Sequence, residues 1–179
     1  MSIVTTRAIR RNLKIIETEF DEVMGRPSLV RSSVIAAFYS KLAIMEVGGW
    51  VEQTVDDLLH NYIDLTVADG TIRETLKKEV VGRVFGFRYG ADFRPLFEKI
   101  IGAARYEEVR KQLSKKNRDN ILSTKLSELS KARDSAAHTY WRGGTMPRYA
   151  APSSTREVFE AILPIMRQIE RLLQKYLTS

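Results

Sequence analysis

Two side chains in this sequence have the types and spacing for phosphate chemistry. They are Arg133 and His138, in the stretch Lys131-Ala132-Arg133-Asp134-Ser135-Ala136-Ala137-His138-Thr139-Tyr140-Trp141-Arg142-Gly143. His138 is one of only two histidines. Imidazole is the side chain that titrates nearest neutrality, which suits general acid–base work. A guanidinium is permanently charged, and its planar fork matches a phosphate. Together they can move a proton and stabilise charge on a phosphate without a metal. Lys131 and Arg142 are candidate phosphate contacts beside them, and Asp134 is placed to orient either partner. Five residues on an ideal helix turn through roughly 500°, so the two side chains would point about 140° apart. Either the helix ends before His138, as Gly143-Gly144 permits, or a second subunit completes the site. The small residues Ser135, Ala136 and Ala137 would let another helix come close.

Composition narrows the remaining chemistry. The 179 residues are 44% hydrophobic and 28% charged, as in a soluble globular chain, and predict a single domain over 1–179. The chain has no cysteine, which excludes disulfides, thiolate metal sites and a thiol nucleophile. With two histidines and no acidic ligand cluster, no metal site and no cofactor are expected. There is no phosphate-binding loop of the NTPase type and no Gly-x-Ser-x-Gly. Charged residues from Arg7 onward predict no signal peptide. Val34–Val51 is the most apolar stretch, but Lys41 and Glu46 interrupt it, so it reads as a core helix and not a membrane span. A cytoplasmic protein is the default. The net charge of +7 is concentrated: residues 105–148 carry 11 Lys/Arg and 5 Asp/Glu. A basic segment around the His–Arg pair points to a polyanion, nucleic acid first, or else forms a solvated face.

Helices must position these residues. Ile9, Leu13, Ile16, Phe20 and Val23 mark an amphipathic helix over 5–24, stopped by Gly25 and Pro27. Ser28 can cap a very long helix from about Leu29 to about Val67, apolar nearly all round in its middle, as in a bundle centre or a subunit interface. Glu46 is a charge inside that apolar part; if buried it needs a partner, for which Arg133 is a candidate. His60 is expected on the surface. Thr71 to Glu74 reads as a capping box opening a helix to about Phe85, followed by a loop over Gly86–Asp92 and a short helix from Arg94-Pro95. A short helix in 104–119, an exposed loop around 115–118, a helix capped by Ser123 or Thr124, and a final helix capped by Ser154 or Thr155 complete the chain. No segment alternates with period two. The prediction is an all-α bundle of about five to seven helices.

Arg133-Asp134-Ser135-Ala136-Ala137-His138 resembles the Arg-x4-His motif of the HEPN superfamily (higher eukaryotes and prokaryotes nucleotide-binding domains). The polar residue after the arginine and the Gly turn after the helix fit that pattern. Gly49-Trp50-Val51-Glu52 to Asp57-Leu58-Leu59 is similar to the second helix of larger, stand-alone HEPN proteins. The resemblance implies a metal-independent endoribonuclease, a homodimer with the two motifs facing each other, of a toxin–antitoxin or phage-defence system. It implies His138 as general acid or base, Arg133 on the scissile phosphate, and RNA as substrate through its 2′-OH. Tyr140 extends the likeness to Arg-x4-His-x-Tyr, whose tyrosine is AMPylated by a nucleotidyltransferase antitoxin; this chain is longer than the usual members of that group. Two rivals are a non-catalytic all-α module binding nucleic acid or a partner, and a substrate-presenting subunit for a nucleotidyltransferase.

Overall fold

The computed structural model describes residues 2–26, 29–138 and 148–178. Among them are seven α-helices and no strand: α1 (Arg7–Met24), α2 (Leu29–Thr66), α3 (Gly70–Thr75), α4 (Arg94–Ile101), α5 (Ala103–Ser114), α6 (Arg118–His138) and α7 (Pro152–Thr178). They gather into two compact units. One comprises residues 6–50 and 128–160; the other comprises residues 1–5, 51–127 and 161–179.

In the first unit, α1 buries the predicted stripe of Ile9, Leu13, Ile16 and Val23. Ala43, Ile44 and Val47 of α2 and Ala136 of α6 are buried as well. Trp50 meets Phe159 edge-to-face at 4.8 Å, a preferred aromatic geometry. Arg10 pairs with Glu160 at 2.9 Å and Arg156 with Glu17 at 2.8 Å. The Glu46 carboxylate is half-buried and accepts a bond from the Asn12 amide at 2.9 Å. Its partner is therefore Asn12 of α1, not Arg133, because a neutral amide meets the needs of a carboxylate that retains some water.

The second unit is built on the lower half of α2, where Val51, Leu58, Leu59 and Ile63 are buried. Phe93, Phe97 and Tyr106 form an aromatic run with ring separations of 4.5 and 5.9 Å. Asp69 caps α3 by accepting the Ile72 N–H at 2.9 Å, so the cap lies two residues before the expected Thr71. The helix then widens: the Gly82 N–H reaches back five residues to the Lys77 carbonyl at 2.8 Å, and the turn ends there and not at Phe85. A Cβ at Gly82 would lie 3.0 Å from the Lys78 carbonyl oxygen, so a glycine closes this turn. The expected loop over 86–92 is partly wound as well, with Tyr89–Phe93 leading directly into α4. Gly86, at φ +125°, leaves room for Asp92 to accept the Arg88 N–H at 2.9 Å. His60 is half-buried, and its Nε2 is buried without a hydrogen-bond partner among the described residues, so the expectation of a surface residue fails.

Among the described helices, α2 alone is long and apolar enough to cross a membrane by length and composition. A core helix of a soluble protein passes the same test.

Candidate functional site

The candidate site lies on the last two turns of α6. The helix keeps its course through His138, which is its final residue. The alternative of a helix ending before His138 therefore does not occur. Ala136 is buried and anchors this end of the helix. Lys131, Asp134, Ala137 and His138 are exposed, and Arg133 is half-buried with a polar interaction of its own. At helical spacing Arg133 and His138 diverge by about 140°, and Asp134 points between them. Asp134 and His138 are four residues apart and so neighbours on the helix surface. No hydrogen bond or ion pair joins them among the described residues. One copy of α6 thus presents the two groups on a common solvent-facing arc without converging them. Tyr140 and Arg142 lie outside the described residues, as do Trp141 and the Gly143-Gly144 turn.

The same unit holds a recess of about 310 Å³ against another face of α6. Ile44, Leu129, Ala132, Ser135, Tyr149 and Val158 are among its walls. The Tyr149 hydroxyl is buried there with no hydrogen-bond partner among the described residues, and Lys41 Nζ sits 5.9 Å from the centre of its ring. An apolar recess with one unmet polar atom suits a small group carrying a matching polar atom. Tyr149 follows a prolyl, Gly-rich stretch that reads as loop, so no sequence signal marked it.

The second unit contains a buried polar cluster. Asp119, in the first turn of α6, is 7% exposed. It accepts from the Tyr89 hydroxyl and from Arg110 at 3.2 Å. The Tyr106 hydroxyl donates to that of Tyr89 at 3.4 Å. Burial, reinforced by the bond to Asp119, pushes the Tyr89 hydroxyl above its usual range. Burial pushes that of Tyr106 up further. Both tyrosines stay protonated in the folded chain at a pH where the unfolded chain ionises, near 10. Their contribution to stability is complete below about pH 10 and falls as pH rises beyond it. Urea midpoints measured from pH 8 to 11 should hold and then fall, and Tyr89→Phe/Tyr106→Phe should flatten the alkaline fall. An unchanged slope in that variant would show that these hydroxyls do not carry it.

Family models, curated proteins and solved structures give no match to this chain.

Proposed function

We propose that the chain is a metal-independent endoribonuclease of the HEPN type, acting as a homodimer in a cytoplasmic toxin–antitoxin or phage-defence system. One observation carries the reading: His138 stands exposed at the end of α6, five residues beyond Arg133, within the segment that holds six of the seven net positive charges. In this reading Arg133 binds the scissile phosphate, and Lys131 and Arg142 bind its neighbours. The ribose 2′-oxygen attacks phosphorus and the P–O5′ bond breaks. The proton leaving the 2′-OH goes to one imidazole, and the departing 5′-oxygen takes one from another. The divergence of Arg133 and His138 is what asks for a second copy, which would supply the complementary group. Tyr140 would be the residue that an antitoxin modifies.

A face for that second copy is available on α2. Phe38, Leu42 and Met45 follow one another at helical spacing and are 51%, 44% and 38% exposed. Gly49 continues the stripe, with nothing within 4 Å of where its Cβ would be. Leu42→Glu is expected to turn a dimer into a monomer in sedimentation and to abolish cleavage. Its thermal midpoint should lose the rise with protein concentration that association gives the wild type, while the monomer still folds, because the side chain faces solvent in one copy. A variant that sediments like wild type removes this face from the reading.

The direct experiment is RNA cleavage in a chelator by wild type and His138→Ala. Activity in wild type that His138→Ala lacks supports the reading. Equal activity, or none in either, overturns it. The rival is a non-catalytic module for nucleic acid or a partner, and the exposed Asp134 carboxylate between the guanidinium and the imidazole favours it, since it opposes a phosphate. RNA binding without strand scission would select it.

A further inference from the structure

We infer that the groove between the α5–α6 turn and the C-terminal half of α7 holds the phosphate backbone of a single-stranded nucleic acid. The groove has a volume of about 400 Å³, and Lys115, Lys116, Arg118, Arg171 and Lys175 line it. No carboxylate is among the described residues that line it.

The cations converge for structural reasons. α5 stops at Ser114 and α6 restarts at Arg118. The turn between them is fixed by the Lys116 N–H on the Leu113 carbonyl at 3.2 Å and the Asn117 N–H on the Ser114 carbonyl at 3.0 Å. Asn117 takes φ +56°, which asparagine tolerates. Three cations are thereby held within four residues. Across the groove Arg171 and Lys175 are four apart on α7 and so share a face. Arg118 donates to the Gln168 side chain, whose amide donates to the Gln112 carbonyl at 3.4 Å, tying the two banks together.

Among the described residues Lys115, Lys116, Arg118 and Arg171 form no ion pair with a carboxylate. Like charges at four-residue spacing destabilise a helix. A groove lined by five cations, four of them in no ion pair among the described residues, is suited to an anion with several negative charges in a row. A membrane surface fits less well, because Leu172, half-buried, is the one apolar residue lining the groove, and interfacial binding needs an inserting apolar face. A single strand follows a basic groove through its backbone without sequence readout. The choice of polymer rests on the ribonuclease reading; the charge of the groove does not.

The test is binding of the full-length protein to a short 2′-deoxy oligonucleotide, which a 2′-OH-dependent ribonuclease cannot cut, followed by fluorescence anisotropy across a salt series. For a single strand the logarithm of the binding constant falls with the logarithm of salt by about 0.7 per phosphate contact. Lys115→Glu/Lys116→Glu should weaken binding at least tenfold and reduce that slope by about 1.4. Arg171→Ala should reduce it by about 0.7. Lys78→Glu, on α3's exposed continuation, should leave it unchanged. Groove variants that keep the wild-type slope overturn the inference, as do equal losses in Lys78→Glu or loss of binding to phosphatidylserine vesicles but not to the oligonucleotide. Loss of slope in the groove variants with no RNA cleavage by wild type would keep the groove and overturn the ribonuclease reading. Cleavage with an unchanged slope would do the reverse.

Discussion

His138→Ala is expected to lower metal-independent RNA cleavage by about 10²–10⁴-fold, the usual contribution of a positioned general acid or base. The imidazole is exposed at a helix end, so its removal should not disturb the fold. That separates chemistry from stability: the thermal midpoint should stay within a few degrees of wild type while turnover collapses. Arg133→Ala should also abolish turnover, but its half-buried side chain has a structural interaction, so some loss of stability should accompany it. Arg133→Lys keeps the charge and loses the fork; activity well below wild type would point to bidentate phosphate binding. Asp134→Asn provides the opposing case. If its carboxylate orients His138, cleavage should fall; if it only repels phosphate, cleavage and RNA binding should both rise. Residual cleavage by His138→Ala within threefold of wild type would remove His138 from the chemistry.

The all-helical fold and the course of α1 and α2 were legible in the sequence because their signals are periodic and local. Ile9, Leu13 and Ile16 give the face of α1. The long, largely apolar run, with Asp69-Gly70 after it, gives an α2 that ends within one residue of expectation. The start of α6 was not legible. Lys115, Lys116 and Arg118 read as an exposed loop with a helix resuming at Ser123 or Thr124, yet α6 begins at Arg118. The cause is Asp119, a charged residue that is buried because partners 30 and 9 residues away satisfy it. No window of sequence contains that information. The same holds for Glu46, whose partner Asn12 lies on another helix. Of the candidate site, the divergence of about 140° between Arg133 and His138 was legible as the consequence of an unbroken helix. That α6 continues through His138 was not, because the Gly143-Gly144 signal permits an earlier end as well. The groove was half legible. Its 115–118 bank stood out as charge, whereas Arg171 and Lys175 read as the wet face of an amphipathic helix.

Asp119→Ala is expected to cost about 3 kcal/mol of folding stability, the lower end of the range for removing one partner of a buried ion pair. The carboxylate is the hub of its cluster. Without it the Tyr89 hydroxyl keeps only the 3.4 Å contact with Tyr106, and a half-buried polar group is left short of a partner. Arg110 suffers less. Its side chain is 31% exposed and retains Glu107 at 3.5 Å, so water and a neighbouring carboxylate take up part of its charge. That is why the loss should sit low in the range. Asp119 also lies in the first turn of α6, where a negative charge is favoured by the helix dipole, and the alanine forfeits that as well. Asp119→Asn keeps the shape and an acceptor, and should lose about half as much. Urea denaturation of the three proteins at neutral pH decides the matter. A loss below about 1 kcal/mol in Asp119→Ala would mean that the cluster is held by the packing of Phe93, Phe97 and Tyr106 and not by its central charge.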